Sequence, residues 1–187
     1  MFMRMNEKDT MTSPSPGSAT KVHLTAHDPA SARPWPFKAH DSSPLAWWRR
    51  LPSGVFGEPE RLHLRATLEQ INVLHAEHDL MAAVKGEAAA AIEVTFTLMP
   101  MTEFSLRTDI AMTALLRCAL KSNASASLVL AQVLGLTDVG HPYATELATS
   151  WLSYGWLCSE NPREFSKAQN VLLTAFQERR QREGDNA

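Results

Sequence analysis

Between Leu106 and Arg180 the chain repeats itself at one fixed step, and this constrains its fold more than any other feature. Shifted by 37 residues, Thr108 falls on Thr145, Ala111 on Ala148, Leu115 on Leu152, Leu120 on Leu157 and Ser122 on Ser159. Farther along, Ala131 falls on Ala168, Gln132 on Gln169, Leu136 on Leu173 and Thr137 on Thr174. Matches that stay in register across two successive segments are the mark of stacked supersecondary units, whose periods run about 20–50 residues.

The repeated segments read as helices. Leu106, Ile110, Leu115, Leu116 and Leu120 form an apolar arc at helical spacing, which predicts a helix over about 105–121. A second covers Ala124 to Leu136. The third starts near Pro142 and runs to about Leu157, with Leu147, Trp151 and Tyr154 inward and Ala144, Ala148 and Gly155 small enough to admit a neighbour. The fourth, to about Arg180, has the clearest start: Asn161 as N-cap, Pro162 at the first position and Glu164 at the third, as in a capping box.

Leu130-Ala131-x-x-Leu134-Gly135-Leu136-Thr137 also invites comparison with a DNA-reading helix-turn-helix. In that register the recognition helix would begin near Asp138 and carry Pro142 inside it, at a cost of about 3 kcal/mol or more. A helical hairpin fits better. The run Ala111 to Ala126, then Leu130-Ala131, Leu134, Gly140, Leu147-Ala148 and Trp151-Leu152, resembles the Sel-like branch of the tetratricopeptide repeats over about 105–180. Leu134 stands at that family's usual tyrosine position. The resemblance implies stacked antiparallel hairpins that bind a protein or peptide along one face. Arg117, Gln132, Glu146 and Thr149 are then the candidate exposed contacts, and Leu115, Ala131, Ala148, Trp151 and Ala168 the buried positions.

Upstream the pattern is looser. Leu64, Leu68, Ile71, Leu74, His78 and Met81 predict one helix over about 60–85, broken at Gly86, although Leu62, Leu64 and Ala66 also alternate as a strand would. Glu93 to Met99 has the β-branched alternation of a small β element, with no evident partner strand. Residues 1–57 hold most of the prolines and no sustained helical period, which predicts a disordered tail ahead of a helical domain over 58–187, with 58–100 capping the hairpins of 105–180. Two aromatic islands interrupt the tail, Arg33 to Phe37 and Pro44 to Pro52. Trp35, Trp47 and Trp48, with Arg49 and Arg50, either fold back onto the domain or dock on a partner, and Trp47 and Trp48 also suit weak contact with a membrane surface. The expected fold class is mainly α, a short array or bundle of antiparallel helical hairpins.

Charge and motifs narrow the function classes. Residues 1–57 carry seven Lys or Arg against four acids, whereas residues 58–187 carry eleven against sixteen, a net −5. An acidic body is a poor match for phosphate, so nucleic acid is an unlikely partner. The chain contains no phosphate-binding glycine loop, nucleophile elbow or dinucleotide fingerprint. His75 and His78 share a helical face and are the only metal-ligand candidates, without a specified third ligand. Cys118 and Cys158 lack a metal or redox spacing and read as reduced thiols, and the first residues lack a secretory h-region. A cytoplasmic, cofactor-free interaction module or regulatory adaptor is the expectation. A metal-dependent enzyme using His75 and His78 and a helix-turn-helix regulator are the alternatives, and a Ser/Thr/Pro-rich start also occurs on proteins exported without a signal peptide.

Overall fold

A computed structural model describes residues 35–71, 78–101 and 103–185; all described regular elements are helical. Three short 3-10 turns, Ala39–Asp41, Pro44–Arg49 and Ser53–Val55, precede seven α-helices. These are α1 (Glu58–Glu69), α2 (His78–Lys85), α3 (Ala88–Thr97), α4 (Leu106–Leu120), α5 (Ala124–Leu136), α6 (Ala144–Cys158) and α7 (Pro162–Asp185).

The later helices start where short polar side chains can take orphan backbone donors. Ser105 Oγ accepts from the Thr108 amide at 3.1 Å and Asn123 Oδ1 from that of Ala126 at 2.8 Å. Asn161 Oδ1 accepts from the Glu164 amide at 3.4 Å, but the Glu164 carboxylate turns to Lys167 Nζ at 2.8 Å, so only half of the capping box forms. Gly86, at φ +100°, ends α2 in a left-handed turn in which the Glu87 amide reaches back to the Ala82 carbonyl.

Two upstream expectations are corrected. The single helix over 60–85 is two, since α1 closes at Glu69 and its last amides, Gln70 and Ile71, bond back to Thr67 and Leu68 in a tightened turn. Leu64 and Leu68 lie buried on one side of α1 and Leu62 half exposed on another, a helical distribution and not a strand's. The β element near 93–99 lies mostly inside α3. No described strand is available to pair with it, whereas coiling lets Ala91, Val94 and Thr95 bury together, and Thr95 Oγ1 donates to the Ala91 carbonyl at 2.8 Å.

The largest correction concerns the tail. Residues 1–34 lie outside the described residues, but from Trp35 onward the segment belongs to the core. Trp47, Trp48, Leu51 and Phe56 are at most 5% exposed and join one apolar cluster with residues of α1 to α7. Trp48 Nε1 donates to Asp109 Oδ1 of α4 at 2.9 Å, Thr113 Oγ1 to the Leu45 carbonyl at 3.2 Å, and the Ser53 amide to Ser150 Oγ of α6 at 2.9 Å. Trp47 is edge-on to Phe56, which in turn lies against Trp151. The prolines that deny this segment a regular helix do not prevent it from burying three large rings.

Helix α4 is the hub, packed by α1, α2, α3, α5 and the Pro44–Arg49 turn, while the most extensive helix pair is α5 with α6. Gly155 of α6 lets α5 and α7 close in: a Cβ there would fall 2.9 Å from Ser127 Cβ and 2.8 Å from the Phe165 ring. Gly135 of α5 plays the same part for Phe176 of α7, whose ring occupies the place of a Cβ.

The 37-residue shift matches positions unequally. Leu115 and Leu152 are both fully buried, as are Ala111 and Ala148, but Leu120 is 4% exposed and Leu157 74%. Ala131 is buried and Ala168 only half so, against expectation. Where α4 and α5 bury Met112, Leu116 and Leu130, the shifted positions are Thr149, Ser153 and Lys167, all exposed. The outer side of α6 and α7 is thus solvated at these positions.

Candidate functional site

Two surface hollows take in three of the residues singled out above, Arg49, Arg50 and Arg117. The first is a cleft of about 280 Å³ between the aromatic segment and the turn joining α5 to α6, lined by Phe37, Arg49, Arg50, Phe104, Val139, Gly140, His141 and Pro142. Local chemistry builds the turn: Asp138 Oδ1 accepts from the Gly140 amide at 3.0 Å, Gly140 sits at φ +62°, and His141 Nδ1 accepts from the Tyr143 amide at 2.9 Å. That last bond leaves the neutral imidazole its proton on Nε2.

Trp35 stacks on His141 with centroids 5.5 Å apart and planes 9° from parallel, and its Nε1 donates to the Arg50 carbonyl at 2.7 Å. Arg50 lies over the Phe37 ring at 5.9 Å, and Arg49 over Phe104 at 5.1 Å. Arg49 also pairs with Asp109 Oδ2 at 3.2 Å, so both oxygens of that carboxylate are engaged, one by Arg49 and one by Trp48. Arg50 has no ion pair among the described residues. Arg49 Nε and His141 Nε2, on two of the lining residues, are buried with no acceptor among the described residues. Burial holds the His141 pKa below the usual imidazole value, nearby Arg50 adds to the depression, and Glu146 opposes it.

The second hollow is a groove of about 190 Å³ where α1 crosses the end of α4, lined by Glu58, Arg61, Leu62, Leu64, Arg65, Arg117, Leu120 and Lys121. Four cations face one acid in its lining, and Gly86 of the α2–α3 turn lies alongside Arg117 and Lys121. Part of this charge has structural work: Arg61 Nη1 donates to the Leu120 carbonyl at 2.9 Å, closing the end of α4, and Arg117 Nη1 to the Val84 carbonyl at 2.8 Å. Arg65 shares Glu69 at 3.3 Å on an exposed face. The buried Arg117 Nε has no acceptor.

The other predicted residues scatter. Trp47 and Trp48 are buried, hence unavailable to a partner or a membrane surface as they stand; the correction follows from how much apolar area each ring removes from water. Gln132 is half buried, Glu146 and Thr149 are exposed on α6, and none of the three lines either hollow. His75 lies outside the described residues. His78 lines a third hollow with Asp79, Leu80, Glu93, Val94, Thr97 and Arg107, and among the described residues no group of three or more His, Cys, Asp or Glu could hold a metal ion. Asp138, where a recognition helix would begin, lies in the α5–α6 turn. No described helix is long and apolar enough to cross a membrane.

Phe37, Phe104 and His141 were not singled out as site residues from sequence. Only the Gly140-His141-Pro142 turn signal hinted at one wall of the cleft, and nothing local pairs it with Phe37. No family model matches the chain, and neither the curated proteins nor the solved structures searched include a match.

Proposed function

We propose that the protein is a non-enzymatic interaction module, an adaptor that holds an acidic segment of a partner protein in the α1–α4 groove. The observation that supports this reading is the local reversal of charge. In a region with a net −5 over residues 58–187, Arg61, Arg65, Arg117 and Lys121 converge on one groove that has an apolar floor of Leu62, Leu64 and Leu120. A peptide with one bulky apolar side chain flanked by Asp or Glu complements both features. Phosphate backbones make no use of such a floor, and the surrounding acidic surface repels them. Stacked hairpins of the tetratricopeptide-like kind are the scaffold this reading assumes, and two unpaired thiols suit a reducing, cytoplasmic setting.

Selection from a displayed random-peptide library tests the reading. Acidic–apolar peptides should be enriched on the wild-type protein, and the double variant Arg65→Gln, Lys121→Gln should weaken them about tenfold, with binding falling as salt rises. Both side chains are exposed, so the fold survives their loss. Enrichment of basic sequences, or indifference to the double variant, would overturn the proposal.

A further inference from the structure

The aromatic cleft on the α5–α6 side is unlike the groove in both chemistry and construction. Its lining offers donors and rings but no carboxylate, because Asp109, just behind it, is already shared by Trp48 and Arg49. Arg50 has no ionic partner among the described residues, lies over Phe37 and is close enough to His141 to lower its pKa. Arg49 Nε and His141 Nε2 keep N–H groups buried with no acceptor among the described residues, an arrangement that native proteins seldom leave uncompensated. Phe37, Phe104, Val139 and Pro142 add apolar surface to the lining of a space of about 280 Å³. That volume lies just below the range for drug-sized ligands and suits a smaller molecule.

We propose that the cleft binds a small organic acid, a single carboxylate carried on an aromatic or compact aliphatic body. The guanidinium of Arg50 supplies the countercharge and a planar fork that matches a carboxylate. Phe37 and Phe104, both in the lining, offer ring surface to the apolar body. Trp35, stacked on His141, covers this wall and must respond when the cleft fills. Such a carboxylate can belong to a free acid or to the C-terminus of a chain ending in an aromatic residue.

Titration of the full-length protein, followed by amide and indole resonances, distinguishes these cases independently of the α1–α4 groove. Phenylacetate should shift the Gly140 and His141 amides and the Trp35 indole saturably, whereas neutral 2-phenylacetamide should bind at least about tenfold more weakly. Gly-Gly-Phe serves as the peptide arm; its binding more tightly or more weakly than phenylacetate assigns the source of the acid. Arg50→Gln should abolish the preference for the acid over the amide while resonances distant from the cleft stay in place, and Arg50→Lys should retain part of it. Equal binding of acid and amide, the same shifts with inorganic phosphate alone, or unchanged affinity in Arg50→Gln would overturn the assignment.

Discussion

Single residues in this protein are tuned by their neighbours in ways that titration and substitution can read. Burial, and after it Arg50, lower the pKa of His141, while its Nδ1 accepts from the Tyr143 amide. A histidine whose folded pKa is depressed contributes stability above the unfolded value of about 6.5 and loses it as pH falls toward the folded pKa, because only the unfolded chain then takes up the proton. Urea unfolding at pH 7.5 and 5.5 should therefore show a loss of stability that is smaller in His141→Asn, whose amide oxygen can still accept from Tyr143; equal losses would remove His141 from the account. Ser122 sits at φ +66° after α4, a left-handed backbone that costs a residue with a Cβ roughly 1 kcal/mol. Ser122→Gly should raise the unfolding free energy by about that amount.

At the scale of elements, the close approaches of α5, α6 and α7 depend on two side chains that are missing. Gly135→Ala would push a methyl into the Phe176 ring, and overpacking of this kind costs about 1–3 kcal/mol. Combining it with Phe176→Leu should recover part of the loss, a non-additivity that chemical denaturation of the four proteins measures. The spans of α4 to α6 were legible to within about two residues from apolar spacing, and the start of α7 from Asn161, which acts on an amide three residues away. The caps of α4 and α5, Ser105 and Asn123, emerged only with the structure, and α7 runs on to Asp185. The character of 93–97 was not legible. Val94 and Thr95 favour a strand by local preference, and burial against α2 and α4 prevailed.

For the molecule as a whole, the aromatic segment supplies some of the largest buried side chains of the main apolar cluster. Truncation of a large buried aromatic typically costs about 3–5 kcal/mol, against a total stability of about 5–15 kcal/mol. A chain beginning at Glu58 lacks Trp47, Trp48 and Phe56 together and lays bare the surfaces of α4 and α6 beneath them. It should show no cooperative thermal transition by circular dichroism; a transition near that of the full-length protein would mean the helices are self-sufficient. The same dependence explains why both candidate sites escaped a linear reading. Arg50 and His141 meet only because the Trp35–Arg50 segment lies against the α5–α6 turn, and Arg61 reaches Leu120 only because α1 crosses the end of α4.

Taken alone, the sequence determined what short-range physics controls: helical class, the rhythm of the four later helices, the Asn161 start of the last one, and an acidic body without a phosphate loop. Tertiary structure decided which proline-broken segment was core, whether a β-branched run coiled, where the outer face of the last hairpin turned polar, and which cations shared a groove. The division follows from range. Hydrogen bonds in a helix join residues three or four apart, whereas the bond from Trp48 to Asp109 and the stacking of Trp35 on His141 join parts of the chain that no local pattern links.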